Sequence, residues 1–193
     1  VLGEGAMLYR TPRNASALAH EDCEILRLKR GDYERIAALE PKFRDRLEEF
    51  YSKRVRGNAL NGSPIFELLD DYRQYSLIDE FELLGLEQGV ELARPKVDWE
   101  EGLFVVTAGQ VAVINETGEE RFRFEVNDAL GGILLPAKAK LVATKAATLI
   151  HIGSKHYSEL YEDHPRFRSY IERLRKLIGH ALGQSTAEAS SSD

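Results

Sequence analysis

The feature that most constrains this chain is an internal repeat. Displaced by 124 positions, the sequence meets itself at Tyr33 and Tyr157, Pro41 and Pro165, Phe43 and Phe167, Arg44 and Arg168, and Glu48 and Glu172. Nearer the start, Pro12, Ala15 and Ala19 fall on Pro136, Ala139 and Ala143, and the apolar residues Ile25, Leu26 and Leu28 fall on Leu149, Ile150 and Ile152. Self-similarity at a fixed period means that the same supersecondary unit is built twice. Each copy reads as a strand, a turn, a second alternating strand, a short helix and a longer helix entered at a proline, whose missing N–H costs nothing in the first helical turn. A period of 124 in 193 residues leaves room for the tail of one unit and the whole of another. The expected division is residues 1–62, 63–183 and a polar tail at 184–193 that ends in "STAEASSSD", too polar to pack. The sequence opens at Val1 inside what reads as a motif, so the expectation is the back end of a longer protein.

The long helices carry apolar stripes at helical spacing: Phe43, Leu47, Phe50, Tyr51 and Val55 in the first, Phe167, Ile171, Leu174 and Ile178 in the second. Such stripes serve as core or as a dimer seam. Between the units, "NGSPIFELL" reads as a linker and a helix start, with Ser63 as the cap and Pro64 at the first helical position. From Phe81 to Ile152 the pattern turns to strands. "LFVVTAGQVAVI" reads as two apolar runs joined at Ala108-Gly109-Gln110. "RFRFEV", behind the turn "NETGEE", puts Phe122, Phe124 and Val126 on one face. Short strands with helices at both ends predict an α+β chain, an antiparallel β-sandwich or β-roll with flanking helices.

Composition removes several function classes. A hydrophobic content of 43% supports a packed core, and a net charge of −6 without a Lys/Arg cluster argues against nucleic acid as a partner. The basic stretch "ERLRKLIGH" reads as the solvated face of a helix. No apolar run reaches the ~20 residues of a membrane helix and no signal peptide is visible, so no membrane partner is expected. The lone Cys23 excludes an intrachain disulfide; it reads as buried and inert, which fits a reducing, cytoplasmic compartment. His20, His151, His156, His164 and His180 show no metal-ligand spacing, and no Ser or Asp sits in a nucleophile elbow, so a non-catalytic protein is expected. Trp99 reads as a core anchor or an interface residue. Beyond Leu182 about ten mostly polar residues remain, too few for a helix-turn-helix.

One stretch carries chemistry: "LGEGAMLYRTPRNASA", Leu2 to Ala17. Gly3 and Gly5 allow a tight bend that brings backbone N–H groups to a ligand, and Ala6 to Tyr9 can form a helical turn aimed at the same spot, the outline of an anion site. Arg13, behind the rigid Pro12, can present its planar fork to phosphate oxygens. Glu4 would repel an anion and makes sense only beside a hydroxyl donor, such as a ribose supplies. Phosphate and ribose together mean a nucleotide.

These residues resemble the phosphate-binding cassette of the cyclic-nucleotide-binding domain family. Leu2 stands for the family's Phe, Gly3 and Glu4 match, Gly5 replaces an apolar residue, Ala6 matches, and "PRNASA" matches through Pro12, Arg13 and Ala15. "EDCEILRLKRGDYERI" is similar to the strand and hinge helix that follow the cassette, and "SPIFELL" to the opening of a second such domain. The resemblance implies a β-roll of jelly-roll or cupin-like type. It implies a ligand site at Gly3, Glu4, Gly5, Ala6, Arg13, Asn14 and Ala15, with Glu4 on the ribose 2′-hydroxyl and Arg13 on the cyclic phosphate. The ligand would be cyclic AMP or cyclic GMP, with no cofactor. Asn14, rather than Thr, after Arg13 favours cyclic AMP. It also implies a relay through hinge helices near Asp32 to Leu39 and Pro41 to Val55, with a homodimer or upstream domains as further partners. In the second copy, "ALGGILLPAKAKLVA", Ile133 takes the acid's place and Ala137 the arginine's, so that site is expected to be lost. Lys138 and Lys140 read as a solvated strand edge. The rival reading is a nucleotide-independent scaffold or dimerisation module built from degenerate copies.

Overall fold

The structure, a computed structural model, describes residues 2–9, 16–70, 73–74, 77, 80–92, 102–131 and 139–183. A short helix α1 (Glu4–Leu8) is followed by an extended segment and by helices α2 (Arg30–Leu39) and α3 (Pro41–Gly62). A single 3₁₀ turn at Phe66–Leu68 leads to strands β1 (Glu82–Leu86), β2 (Leu103–Ile114), β3 (Glu120–Phe124), β4 (Ala129–Gly131) and β5 (Lys140–Ile152). Helices α4 (Ser154–Asp163) and α5 (Pro165–Ala181) close the described chain. The antiparallel sheet runs β1-β5-β2-β3, and β4 pairs with the first part of β2 along the edge that β3 uses further on. This is the expected antiparallel roll with flanking helices.

The sheet is organised by β2, which is buried on both faces. Leu103 and Val105 face the helical layer, while Phe104 and Val106 face the roll interior, the period of two that a strand imposes. Continued without interruption, that period would turn Val111 and Val113 toward the helices. They join the interior cluster instead, because the ladder to β5 shifts register between Val106 and Val111. Gly109 sits in that irregularity at φ 77°, and a Cβ there would lie 2.0 Å from the Ala146 carbonyl oxygen. The two apolar runs read from the sequence are therefore one bulged strand.

The loop between β2 and β3 is fixed by Asn115, whose side-chain oxygen accepts from the amides of Thr117 and Glu119. Phe124 is buried as expected, but Val126 is exposed, since β3 ends at Phe124 and Val126 belongs to the following turn. That turn holds Asn127 at φ 76° and is pinned to β2, with Asn127 N–H donating to Val106 and Val106 N–H to Asp128.

On the helical side, Tyr51, Val55 and Ala59 of α3 join Ile65, Phe66, Phe81, Tyr157, Leu160, Phe167 and Ile171 over Leu103, Val105, Ile150 and Ile152. Phe50, expected in the α3 stripe, points outward. Helix α3 also runs further than the sequence suggests. Asn61 and Gly62 form its last turn rather than a linker, and Ser63 ends it instead of capping a new helix. The Ser63 hydroxyl donates to the Asn127 carbonyl at 2.8 Å, tying the end of α3 to the β3–β4 turn.

Both helix pairs, α2–α3 and α4–α5, begin with the spacing of 124 found in the sequence. Each closes on an aromatic pair at a similar separation: the ring centroids of Tyr33 and Phe43 lie 6.1 Å apart, those of Tyr157 and Phe167 6.3 Å. The strand parts diverge. Leu149 and Ile150 in β5 are fully buried, whereas their counterparts Ile25 and Leu26 are 75% and 94% exposed in an extended segment without a ladder. β5 is paired on both sides by β1 and β2, and nothing among the described residues offers that partnership to residues 22–29. Cys23 lies in this segment and is exposed, not buried. Trp99, residues 132–138, which hold part of the expected degenerate cassette, and residues 184–193 lie outside the described residues.

Candidate functional site

The helical turn expected at Ala6 to Tyr9 forms two residues earlier, as α1, beginning at Glu4 and ending at Leu8. Gly3 precedes α1 at φ 80°, a left-handed conformation that glycine adopts at no steric cost. The helix ends at Tyr9, whose N–H donates to Gly5 at 2.8 Å, and Arg30 from the start of α2 donates to the Ala6 carbonyl at 2.7 Å. Gly5 is demanded by its neighbour: a Cβ would lie 2.3 Å from the Tyr51 ring, so the apolar residue of the family pattern has no room here. Tyr9 packs on the same ring, with centroids 5.2 Å apart, and also covers Gly85 of β1. Two glycines and two tyrosines thus fasten α1 to α3 and to the sheet edge.

Glu4 is only 1% exposed. Its Oε1 forms an ion pair with Arg54 of α3, and Oε2 faces no hydrogen-bond donor among the described residues. A carboxylate withdrawn from water needs such a countercharge, and Arg54 supplies it while keeping 38% of its own side chain in solvent. The guanidinium also lies 6.0 Å from the Tyr51 ring centroid, within cation–π reach. Burial raises the Tyr51 hydroxyl above its ordinary value of 10.0, opposed by the polar Thr148 side chain and by the Arg54 charge.

Beside α1 opens a cavity of about 780 Å³. The cassette contributes Gly3, Gly5, Ala6, Ser16 and Ala17; α3 contributes Tyr51, Arg54, Val55, Asn58 and Ala59. The far wall is Thr107 and Ala108 at the β2 irregularity, with Val126 and Asn127 of the β3–β4 turn. The carboxylate of Glu4 does not line this space, but Arg54 does. Of the residues expected at the site, the structure brings Gly3, Gly5 and Ala6 to the cavity and turns Glu4 inward; Arg13, Asn14 and Ala15 lie outside the described residues. Sequence reasoning missed Arg54, Asn58 and the wall from β2. The one available signal was the spacing of Tyr51, Arg54 and Asn58, which share a helix face. Among the described residues no group of His, Cys, Asp and Glu could hold a metal, and no helix is long and apolar enough to cross a membrane.

The bulged antiparallel roll, the helix pair behind it and the glycine-framed cassette define a cyclic-nucleotide-binding domain fold. Solved structures of that fold resemble the chain. No protein-family model matches it. A cAMP-dependent protein kinase regulatory subunit from Dictyostelium discoideum is 27% identical over 115 residues, which is 60% of this chain and 32% of that relative. The chain thus spans about a third of that protein's length. The solved structure of cAMP-bound PfPKA-R superposes with a TM-score of 0.52 at 17% identity, covering 96% of this chain and 64% of the other. The regulatory subunit of a cAMP-independent protein kinase A from Trypanosoma brucei superposes with a TM-score of 0.53 at 18% identity, covering 91% and 61%.

Proposed function

We propose that the chain is a non-catalytic regulatory module that senses a cyclic nucleotide, cyclic AMP in preference to cyclic GMP, through the cassette at its start. Residues 1–62 are the end of a first binding domain, residues 63–183 are a second domain whose own site is degenerate, and residues 184–193 are a tail. The cyclic phosphate meets the backbone around Gly3 to Ala6 and the fork of Arg13, next to Asn14 and Ala15, while Glu4 takes the ribose hydroxyl. Capture draws the cassette inward, and α2 and α3 move with it to the extent that the ligand prefers one arrangement over the other. The observation that carries this reading is the cavity of about 780 Å³ onto which Gly3, Gly5 and Ala6 open, large enough for a small-molecule ligand. Support comes from the Dictyostelium relative, a regulatory subunit of a cAMP-dependent kinase.

A second reading, a nucleotide-independent scaffold or dimerisation module, is favoured by the closure of Glu4 by Arg54 and by the likeness to a cAMP-independent regulatory subunit. Titration calorimetry with cyclic AMP separates the two. Micromolar binding that Arg13→Ala abolishes is the expected result; a flat titration gives the chain to the scaffold.

A further inference from the structure

We infer that Arg54 and a ligand hydroxyl compete for the carboxylate of Glu4, so that Arg54 is the positioning residue that sets how tightly the cassette holds a ribose-bearing ligand. This rests on the proposed role of Glu4 in binding a hydroxyl. Three observations carry it. Glu4 is withdrawn from solvent and from the cavity, so a ligand seated against Gly3, Gly5 and Ala6 does not meet the carboxylate as it stands. What lines the cavity in its place is Arg54, bound to Glu4 Oε1. And Arg54 has somewhere to go: it is 38% exposed and lies 6.0 Å from the Tyr51 ring centroid, a face that can hold a guanidinium.

The exchange is unfavourable by itself. A guanidinium donates charge-assisted hydrogen bonds to a carboxylate, and a neutral hydroxyl gives back a weaker one. Ligand binding at Glu4 is therefore weakened by whatever it takes to open the pair. That cost falls only on ligands that use Glu4. A nucleotide lacking the 2′-hydroxyl has no need of the carboxylate and leaves Arg54 in place.

The test is a pair of titrations, cyclic AMP and 2′-deoxy cyclic AMP, into the wild-type chain, Arg54→Gln, Arg54→Ala and Arg54→Lys, with thermal melts to show that each variant is folded. Removing the guanidinium should tighten cyclic AMP on the order of tenfold, the scale of a typical coupling between two binding events. The deoxy analogue should bind each variant as it binds wild type, and Arg54→Lys, which keeps a cation, should stay near wild type. Binding of cyclic AMP to Arg54→Ala but not to wild type is the stronger form of the same result. If Arg54→Ala unfolds, the cycle is completed with Arg54→Gln and Glu4→Gln. The gain from Arg54→Gln should vanish once Glu4 is already Gln. Equal gains for both ligands, or weaker or unchanged cyclic AMP binding where wild type binds, overturn the competition while leaving the sensor intact. No binding of either ligand to any form overturns the sensor, and the competition with it.

Discussion

Gly5 and Tyr51 show how one residue pair sets the position of the cassette. A methyl group at position 5 meets Tyr51 Cε2 at 2.3 Å, so Gly5→Ala forces the ring or the helix aside. The expected loss is about 1–3 kcal/mol, measured by urea unfolding, and it should largely disappear when Tyr51→Ala is added, because the two changes share one contact. Gly109→Ala should cost more than about 2 kcal/mol, since it adds a left-handed φ to a backbone clash that no side chain can relieve. Tyr51 also makes stability depend on alkaline pH. Its folded-state pKa is raised above the ordinary 10.0, chiefly by burial, so the neutral phenol is favoured in the fold. That contribution is complete below pH 10.0 and is lost as pH rises through the elevated value. Melting temperature should therefore fall above pH 10.0, and the fall should be shallower in Tyr51→Phe.

At the level of elements, the repeated pattern meets two different environments. Phe167, carried by α5, is fully buried in the cluster formed by α4 and the sheet, whereas its counterpart Phe43 is half-buried on a helix pair with no sheet of its own among the described residues. Phe167→Ala should cost about 3–5 kcal/mol and Phe43→Ala no more than half of that, both by chemical denaturation. The strand positions should separate further: Ile150→Ala by about 2–5 kcal/mol, Leu26→Ala within about 0.5 kcal/mol. Their difference explains what could be read in advance. Helices α2 to α5 were legible because their hydrogen bonds are internal to each segment, with Pro41 and Pro165 marking two starts. The strand at Ile25 to Leu28 was misread because a strand is completed only by neighbours, and the same apolar letters give no sign of whether neighbours exist. Cys23 was misplaced by the same error.

Over the whole molecule, the extended segment 16–29 is where native-state proteolysis should begin, ahead of any cut within β2 or β5, because its backbone has no ladder to open first. Mass mapping of the first fragments would show this. The roll and its order along the chain were legible from the repeat and from the alternation in β2 and β3, and the glycines of the cassette from the turn they make. The partner of Glu4 was not. An acid in a glycine-rich turn predicts a need for a donor, but only the packing of α3 against α1 selects Arg54 over the other arginines of that helix. The wall of the cavity was hidden for a similar reason: Thr107 and Asn127 are more than fifty residues from α1 in the chain and are brought near by the bulge in β2 and the left-handed turn after β3. One more contact has a mechanical meaning. Tyr9 lies over Gly85 so closely that a methyl group on the strand would come within 2.5 Å of the ring. Any travel of the cassette must lift that ring off β1 or drag the strand along, so the outermost strand of the roll is geared to the opening turn of the chain.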